Sequence, residues 1–233
     1  MEAELNQAVS LGTTIMAAAY DGGVVLGADS RTSTGNYVAN RVTDKLTPLT
    51  DKVYVCRSGS AADTQNLAAY VQLYLHQHQM ELGGDVSVRT AARLAQQIVY
   101  SNKAMLQAGL IVAGWDARDN GSVYGVPLGG TLLKVPFTIG GSGSAYIYGF
   151  CDKNWKPGMS EADCHAFVVK AVSHAMARDG SSGGCIRTIV INKDGVKRHF
   201  LPNNEILAAY GELQPPLPAS IAVGGGGAAE MSP

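Results

Sequence analysis

The chain has 233 residues, of which 46% are hydrophobic and 16% charged, with a formal net charge of -1. That is enough apolar material for one large domain or two small ones with a sizeable core. A near-neutral balance argues against nucleic acid or an anionic membrane as the main partner, because both select a concentrated positive patch. Low charge with many Gly and Ala residues fits a surface largely hidden against other subunits. Cys56, Cys151, Cys164 and Cys185 show no CxxC spacing and read as buried thiols of a reducing compartment. The opening segment, MEAELNQAVSLG, has two glutamates, no basic residue and no apolar run of signal-peptide length. No stretch approaches the roughly 20 apolar residues of a membrane helix, so a soluble, intracellular protein is expected.

In chain order, TTIMAAAY and GVVLGAD are β-rich runs joined by Asp21, Gly22 and Gly23, a predicted hairpin. VYVC, from Val53 to Cys56, is another strand and ends in RSGS. The period then becomes helical from Ser60 to Leu82, with Leu67, Val71, Tyr74, Leu75 and Leu82 as the apolar face. Ser60 with Asp63 predicts a capping box, and Gly83-Gly84 the stop. Ser87 caps a second helix with Ala91, Leu94, Ala95 and Ile98 inward. LIVAGW and SVYGV flank the turn DARDNG, and TLLKVPF reads as one more strand. After GGSGS a short helix runs through AYIYGF. Ser160 and Asp163 start the clearest helix, whose stripe is Cys164, Phe167, Val168, Ala171, Val172 and Ala175. CIRTIVI and VKRHFL form a final hairpin across Lys193-Asp194-Gly195.

Strands joined by tight turns are antiparallel, and helices arriving in two pairs imply two stacked sheets with a helical layer outside each. The expected class is α+β, a four-layer αββα sandwich. No internal linker precedes residue 202, so residues 13–201 read as one domain. The Pro/Gly/Ala-rich segment 202–233 reads as flexible, or as an arm lying on a neighbour.

Gly12-Thr13-Thr14 carries the chemical question. Inside a chain Thr13 is an ordinary strand former. Made N-terminal by a cut after Gly12, it is a nucleophile with its own α-amine as base. That amine has a reference pKa of about 7.7–8.0. Lys45 is the candidate cation that lowers it further. A unit charge at about 4 Å and an effective dielectric near 20 acts with about 4 kcal/mol, nearly three pKa units as an upper bound. Residues 1–12 would then be a propeptide, and Gly12 suits the tight geometry of attack on its own carbonyl.

Gly12-Thr13-Thr14, the GADSR run at Asp29, Lys45, the SGS of 58–60, the GSGS of 141–144 and RDGSSGG from Arg178 together resemble the β-type subunits of the proteasome core particle. The resemblance spans Gly12 to about Leu201. It implies the N-terminal nucleophile hydrolase fold and threonine endopeptidase activity without a cofactor. Carried over by position, Thr13 is the nucleophile, Lys45 tunes it, and Asp29 orients Lys45. Ser142, Asp179 and Ser182 hold the threonine amine and a water, and the Gly59 N–H is the oxyanion donor. The family further implies a ring with other β subunits, flanking α-subunit rings, unfolded polypeptide as substrate, and a cytoplasmic and nuclear location.

Arg57 interrupts VYVC-R-SGS just before the oxyanion loop. In the family this position floors the pocket for the residue preceding the cut bond, and arginine there resembles the caspase-like class, which cuts after acidic residues. Thr32, Ser33, Thr43 and Ala61 match positions lining the substrate channel. Plainer readings stand beside these. Asp29 and Lys45 could form a surface ion pair, Asp179 a turn, and Arg57 a structural salt bridge. The five histidines show no metal-ligand spacing, so no metal is expected. A non-catalytic scaffold subunit and a small-molecule amidohydrolase of the same fold are the competing functions.

Overall fold

In the computed structural model, which describes residues 12–35 and 37–206, β1 (Ile15–Tyr20) and β2 (Gly23–Ala28) form the expected hairpin. Alternation along β1 sends Ile15 and Ala17 to one face and Met16 and Ala18 to the other. Both faces are buried, which is why these strands carry so little polarity. The first sheet has the order β10 (Phe137–Gly140), β1, β2, β11 (Ile186–Asn192), β12 (Gly195–Leu201). The second runs β5 (Leu46–Thr50), β6 (Val53–Gly59), β7 (Ala108–Asp116), β8 (Asn120–Val126), β9 (Leu133–Lys134). Every pairing within the two sheets is antiparallel. A separate pair, β3 (Thr32–Thr34) with β4 (Tyr37–Asn40), stands apart from both.

Three cores make four layers. Between the sheets lie Ile15, Ala17, Leu26, Leu46, Cys56, Ile111, Val123 and Ile189. Outside the second sheet, α1 (Ala61–Leu82) and α2 (Val88–Ser101) cover Val55, Leu110 and Val112. Outside the first, α3 (Tyr148–Asn154) and α4 (Glu161–Arg178) cover Met16, Ala18, Val25 and Ile186. This is the α+β sandwich of the N-terminal nucleophile hydrolases. All six expected stripe residues of α4 are buried. The four cysteines are buried and form no disulfide, and burial pushes the Cys151 and Cys164 thiols up to about 12.

Gly27 shows how closely α4 lies on the sheet, for a Cβ there would stand 2.4 Å from Val168 Cγ1. Valine is stiff at χ1 and cannot swing aside cheaply. Gly27→Ala is expected to cost about 1–3 kcal/mol, the range for an overpacked core. Thermal unfolding should show a Tm lower by several degrees; an unchanged Tm would mean that α4 yields freely.

Several expectations need correction. TLLKVPF is not one strand: β9 and β10 belong to different sheets and break at Val135-Pro136, where proline removes a ladder donor. The helix through AYIYGF splits at Ile147 into a 3₁₀ turn (Ser142–Tyr146) and α3. Ser60 accepts the Asp63 N–H, but the Asp63 carboxylate turns to the Gln107 N–H, leaving half a capping box. Tyr74 and Leu82 are exposed, because the buried face of α1 is the narrower Thr64, Leu67, Ala68, Val71 and Leu75. Leu94 and Ile98 are only partly buried beside Val88, Ala92 and Val99. Strand β5 has no counterpart among the expected elements; it holds Pro48, which is tolerated on an edge strand and beside the register shift between Pro48 and Thr50. The propeptide and tail readings fall almost wholly on residues 1–11 and 207–233, outside the described residues; Ile206 packs on the α4 core.

Candidate active site

Thr13 lies two residues before Ile15, so it continues the alternation of β1 on the inter-sheet face, at the mouth of that layer. It is buried. Its carbonyl accepts the Gly143 N–H at 3.2 Å. The next residue is gripped on both sides: the Thr14 N–H donates to Asp29 Oδ1 at 2.9 Å, and the Asp29 N–H donates to the Thr14 carbonyl at 3.1 Å. Gly12 is still attached, so the Thr13 nitrogen is an amide, and its N–H donates to Ser142 Oγ at 3.1 Å. The Thr13 hydroxyl donates to the Gly12 carbonyl at 2.6 Å.

Lys45 ends the loop that enters β5, and its ammonium faces this group. Nζ stands 3.1 Å from Thr13 Oγ1, 3.4 Å from the Gly12 carbonyl oxygen and 2.6 Å from Asp29 Oδ1. The Lys45–Asp29 pair is almost wholly buried, with side chains 5% and 0% exposed, so it is no surface ion pair. Burial lowers the lysine pKa, and the Asp29 charge and hydrogen bond oppose that fall. The carboxylate is fully occupied, since Oδ2 accepts the Arg31 and Gly183 N–H groups at 3.1 and 3.0 Å. Such a pair has one geometry, because breaking it leaves a buried charge at about 3–5 kcal/mol.

Asp179 caps the C-terminal end of α4 and joins the two serines. Ser142 Oγ and Ser182 Oγ both donate to Asp179 Oδ2, at 2.7 and 2.6 Å. With its proton so committed, Ser142 is an acceptor toward the Thr13 nitrogen. Ser182 is likewise an acceptor toward the Thr14 hydroxyl, 2.7 Å away. Asp179 is therefore more than a turn residue. A Cβ on Gly12 would stand 2.1 Å from the Ser181 carbonyl oxygen, so the residue before Thr13 has no room for a side chain. Steric access, more than flexibility, requires glycine here.

Gly59 ends β6 at φ 99°, and a Cβ would meet the Gln107 carbonyl oxygen at 2.1 Å. Two residues earlier Arg57 is buried, yet no carboxylate of the described residues lies within 4.0 Å of its guanidinium. Nε donates to Thr47 Oγ1 at 2.8 Å, Nη1 to Thr64 Oγ1 at 3.3 Å and Nη2 to the Asp44 carbonyl at 2.7 Å. Among the described residues Arg57 thus has no structural salt bridge, and desolvation lowers the arginine pKa. Ser33 Oγ accepts the Gly12 N–H at 3.3 Å. Thr32 and Thr43 bond each other through their hydroxyls at 2.8 Å and make no hydrogen bond to Thr13. Ala61 opens α1, and its carbonyl accepts from the Thr64 hydroxyl beside Arg57.

The sequence motifs contain Thr14, Ser30, Arg31 and Ser181, but no role was read for them. The Arg31 guanidinium donates to the Gly180 carbonyl at 2.8 Å, and Ser30 Oγ accepts the Cys185 N–H at 2.8 Å, so both tie the Asp179 loop to Asp29. The signal was present in GADSR, where Asp29 alone was assigned a task.

A buried lysine–carboxylate pair thus lies under a hydroxyl that opens the first inner strand of an αββα sandwich, the fold of the N-terminal nucleophile hydrolases. Residues 9–191 match the family described as "Proteasome subunit". The chain is 55% identical over 215 residues to "Proteasome subunit beta type-6" of Arabidopsis thaliana, covering 92% of each chain. It is 56% identical over 202 residues to the protein of that name in Dictyostelium discoideum, 87% of this chain and 94% of that one. To "Proteasome subunit beta type-1" of Saccharomyces cerevisiae it is 52% identical over 190 residues, 82% and 88% of the two chains. The chain belongs to the proteasome subunit family, as a β-type subunit of the core.

Proposed function

We propose that this subunit is a threonine endopeptidase, made as a precursor, that cuts itself between Gly12 and Thr13 and then cleaves polypeptides after acidic residues. The observation that carries the reading is the Lys45 ammonium, held by Asp29 and touching both Thr13 Oγ1 and the Gly12 carbonyl oxygen. In activation the Thr13 oxygen attacks the Gly12 carbonyl carbon. The C–N bond breaks as the nitrogen takes up a proton, and an ester links Gly12 to the Thr13 oxygen. Water then hydrolyses the ester, giving a Gly12 carboxylate, a free hydroxyl and a free amine. Lys45 stabilises the charge developing on the carbonyl oxygen, and the Gly59 N–H is the second donor.

The freed amine becomes the base for later substrates, taking the Thr13 hydroxyl proton as that oxygen attacks. The Lys45 charge lowers the proton affinity of this neighbouring amine. Ser142, already an acceptor toward the Thr13 nitrogen, orients it through Asp179. The acidic preference rests on Arg57, a buried guanidinium whose hydrogen-bond partners among the described residues are all neutral. Thr32, Ser33, Thr43 and Ala61 would line the path of the substrate chain. Family membership implies assembly with other proteasome subunits. In our reading this is a β ring between α rings in the cytoplasm and nucleus, fed unfolded polypeptide. Mass spectrometry of the subunit from assembled particles should find Thr13 at the N-terminus. An intact Met1 in an active particle would contradict the mechanism.

A further inference from the structure

Among the described residues, the acid whose charge bears most on Arg57 is this chain's own Asp44. Asp44 gives its main-chain carbonyl to Arg57 Nη2, and its carboxylate is foremost among the charges that oppose the desolvation of the guanidinium. Yet the carboxylate does not pair with Arg57. Oδ1 accepts the Leu46 N–H at 2.9 Å, and Oδ2 is engaged by Arg198 Nη2. Arg198 lies on β12, the outer strand of the first sheet, while Asp44 precedes β5, the outer strand of the second. Both side chains of this ion pair are more than 40% exposed. In that setting an ion pair adds little stability. Its position is another matter, because it decides which way the Asp44 carboxylate points.

We propose that Arg198 is a specificity-determining positioning residue: by holding the Asp44 carboxylate, it keeps Arg57 open to an acidic side chain of the substrate. The inference rests on the reading of Arg57 as the floor of the pocket. A guanidinium already matched by an internal carboxylate offers a substrate acid little, since the second anion must displace the first or share with it. With Arg198 removed, the Asp44 carboxylate keeps, among the described residues, the Leu46 N–H alone and competes for Arg57 as an internal inhibitor. Competition of this kind acts on binding. It raises KM for post-acidic cleavage and leaves kcat, and cleavage after apolar residues, unchanged.

The test uses assembled particles carrying Arg198→Ala, Asp44→Asn with Arg198→Ala, or Arg57→Met, assayed with peptides cut after Glu and after Leu. Arg198→Ala is expected to raise KM for the post-Glu peptide on the order of five- to tenfold, the effect of a partly exposed competing charge. The double variant should return it to within about twofold of the unaltered particle, because the amide in place of the Asp44 carboxylate keeps the Leu46 contact but carries no charge to compete. A merely structural tie between the sheets would not be repaired by a second substitution at the same contact. An unchanged KM in Arg198→Ala, or a rise that Asp44→Asn does not relieve, overturns the inference. If either occurs while Arg57→Met still loses post-Glu cleavage, the reading of Arg57 survives alone. If Arg57→Met keeps its post-Glu preference, that reading fails and takes this inference with it.

Discussion

Thr13→Ala is expected to yield a folded chain that keeps residues 1–12 and has lost peptidase activity by on the order of 10⁴- to 10⁶-fold, the scale for deleting a nucleophile. The hydroxyls of the Asp179 network are not free to take over. Ser142 and Ser182 are committed to Asp179, and the Thr14 hydroxyl is bonded to Ser182. The variant should fold because Asp29 still holds Lys45 and the Thr14 N–H. The loss is a hydroxyl bonded to Gly12 and Lys45, about 1–3 kcal/mol. Thr13→Ser keeps an oxygen in place and should still process itself. Intact mass and peptide hydrolysis check both variants, and retained cleavage by Thr13→Ala refutes the assignment.

Arg57→Met is expected to move the preference from acidic to apolar residues. An acid bound over the guanidinium is worth roughly 2–5 kcal/mol when its partner is deleted, or about thirty- to several-thousandfold in kcat/KM. Post-Glu cleavage should fall by that range, and post-Leu cleavage should rise. The machinery at Thr13 should survive, because the link between residue 57 and Lys45 is main chain, from the Arg57 N–H to the Lys45 carbonyl at 3.0 Å. A profile that does not change would make Arg57 structural. Paired fluorogenic peptides give the ratio directly.

The helical layers were legible because α4 and α2 follow a 3.6-residue period with side-chain caps at Ser160 and Ser87. Strands β1, β2 and β11 were legible as apolar runs between turn residues. What escaped is non-local. Nothing in TLLKVPF indicates that its two halves serve different sheets, and Pro48 argues against a strand until β5 is known to be an edge. At the site, Thr13, Asp29 and Lys45 were found because their residue types and order carry the chemistry. Thr14, Arg31 and Ser181 were not. The bonds of Thr14 and Arg31 help bring the Asp179 loop against Asp29 across about 150 residues of chain, while Ser181 bonds within that loop; GADSR marks one side of this meeting, and no local pattern encodes its partner.

The double grip on Thr14 has a consequence for the proposed mature enzyme. New chain ends ordinarily fray, and a reactive group on a fraying end would sample many poses, few of them productive. Here the residue behind the nucleophile is bonded to Asp29 in both directions, and the Thr13 carbonyl is bonded to Gly143. None of these bonds involves the segment that is cut away. The working terminus would inherit its rigidity from the sheet, and activation would need no rearrangement of the strand that bears the reacting oxygen.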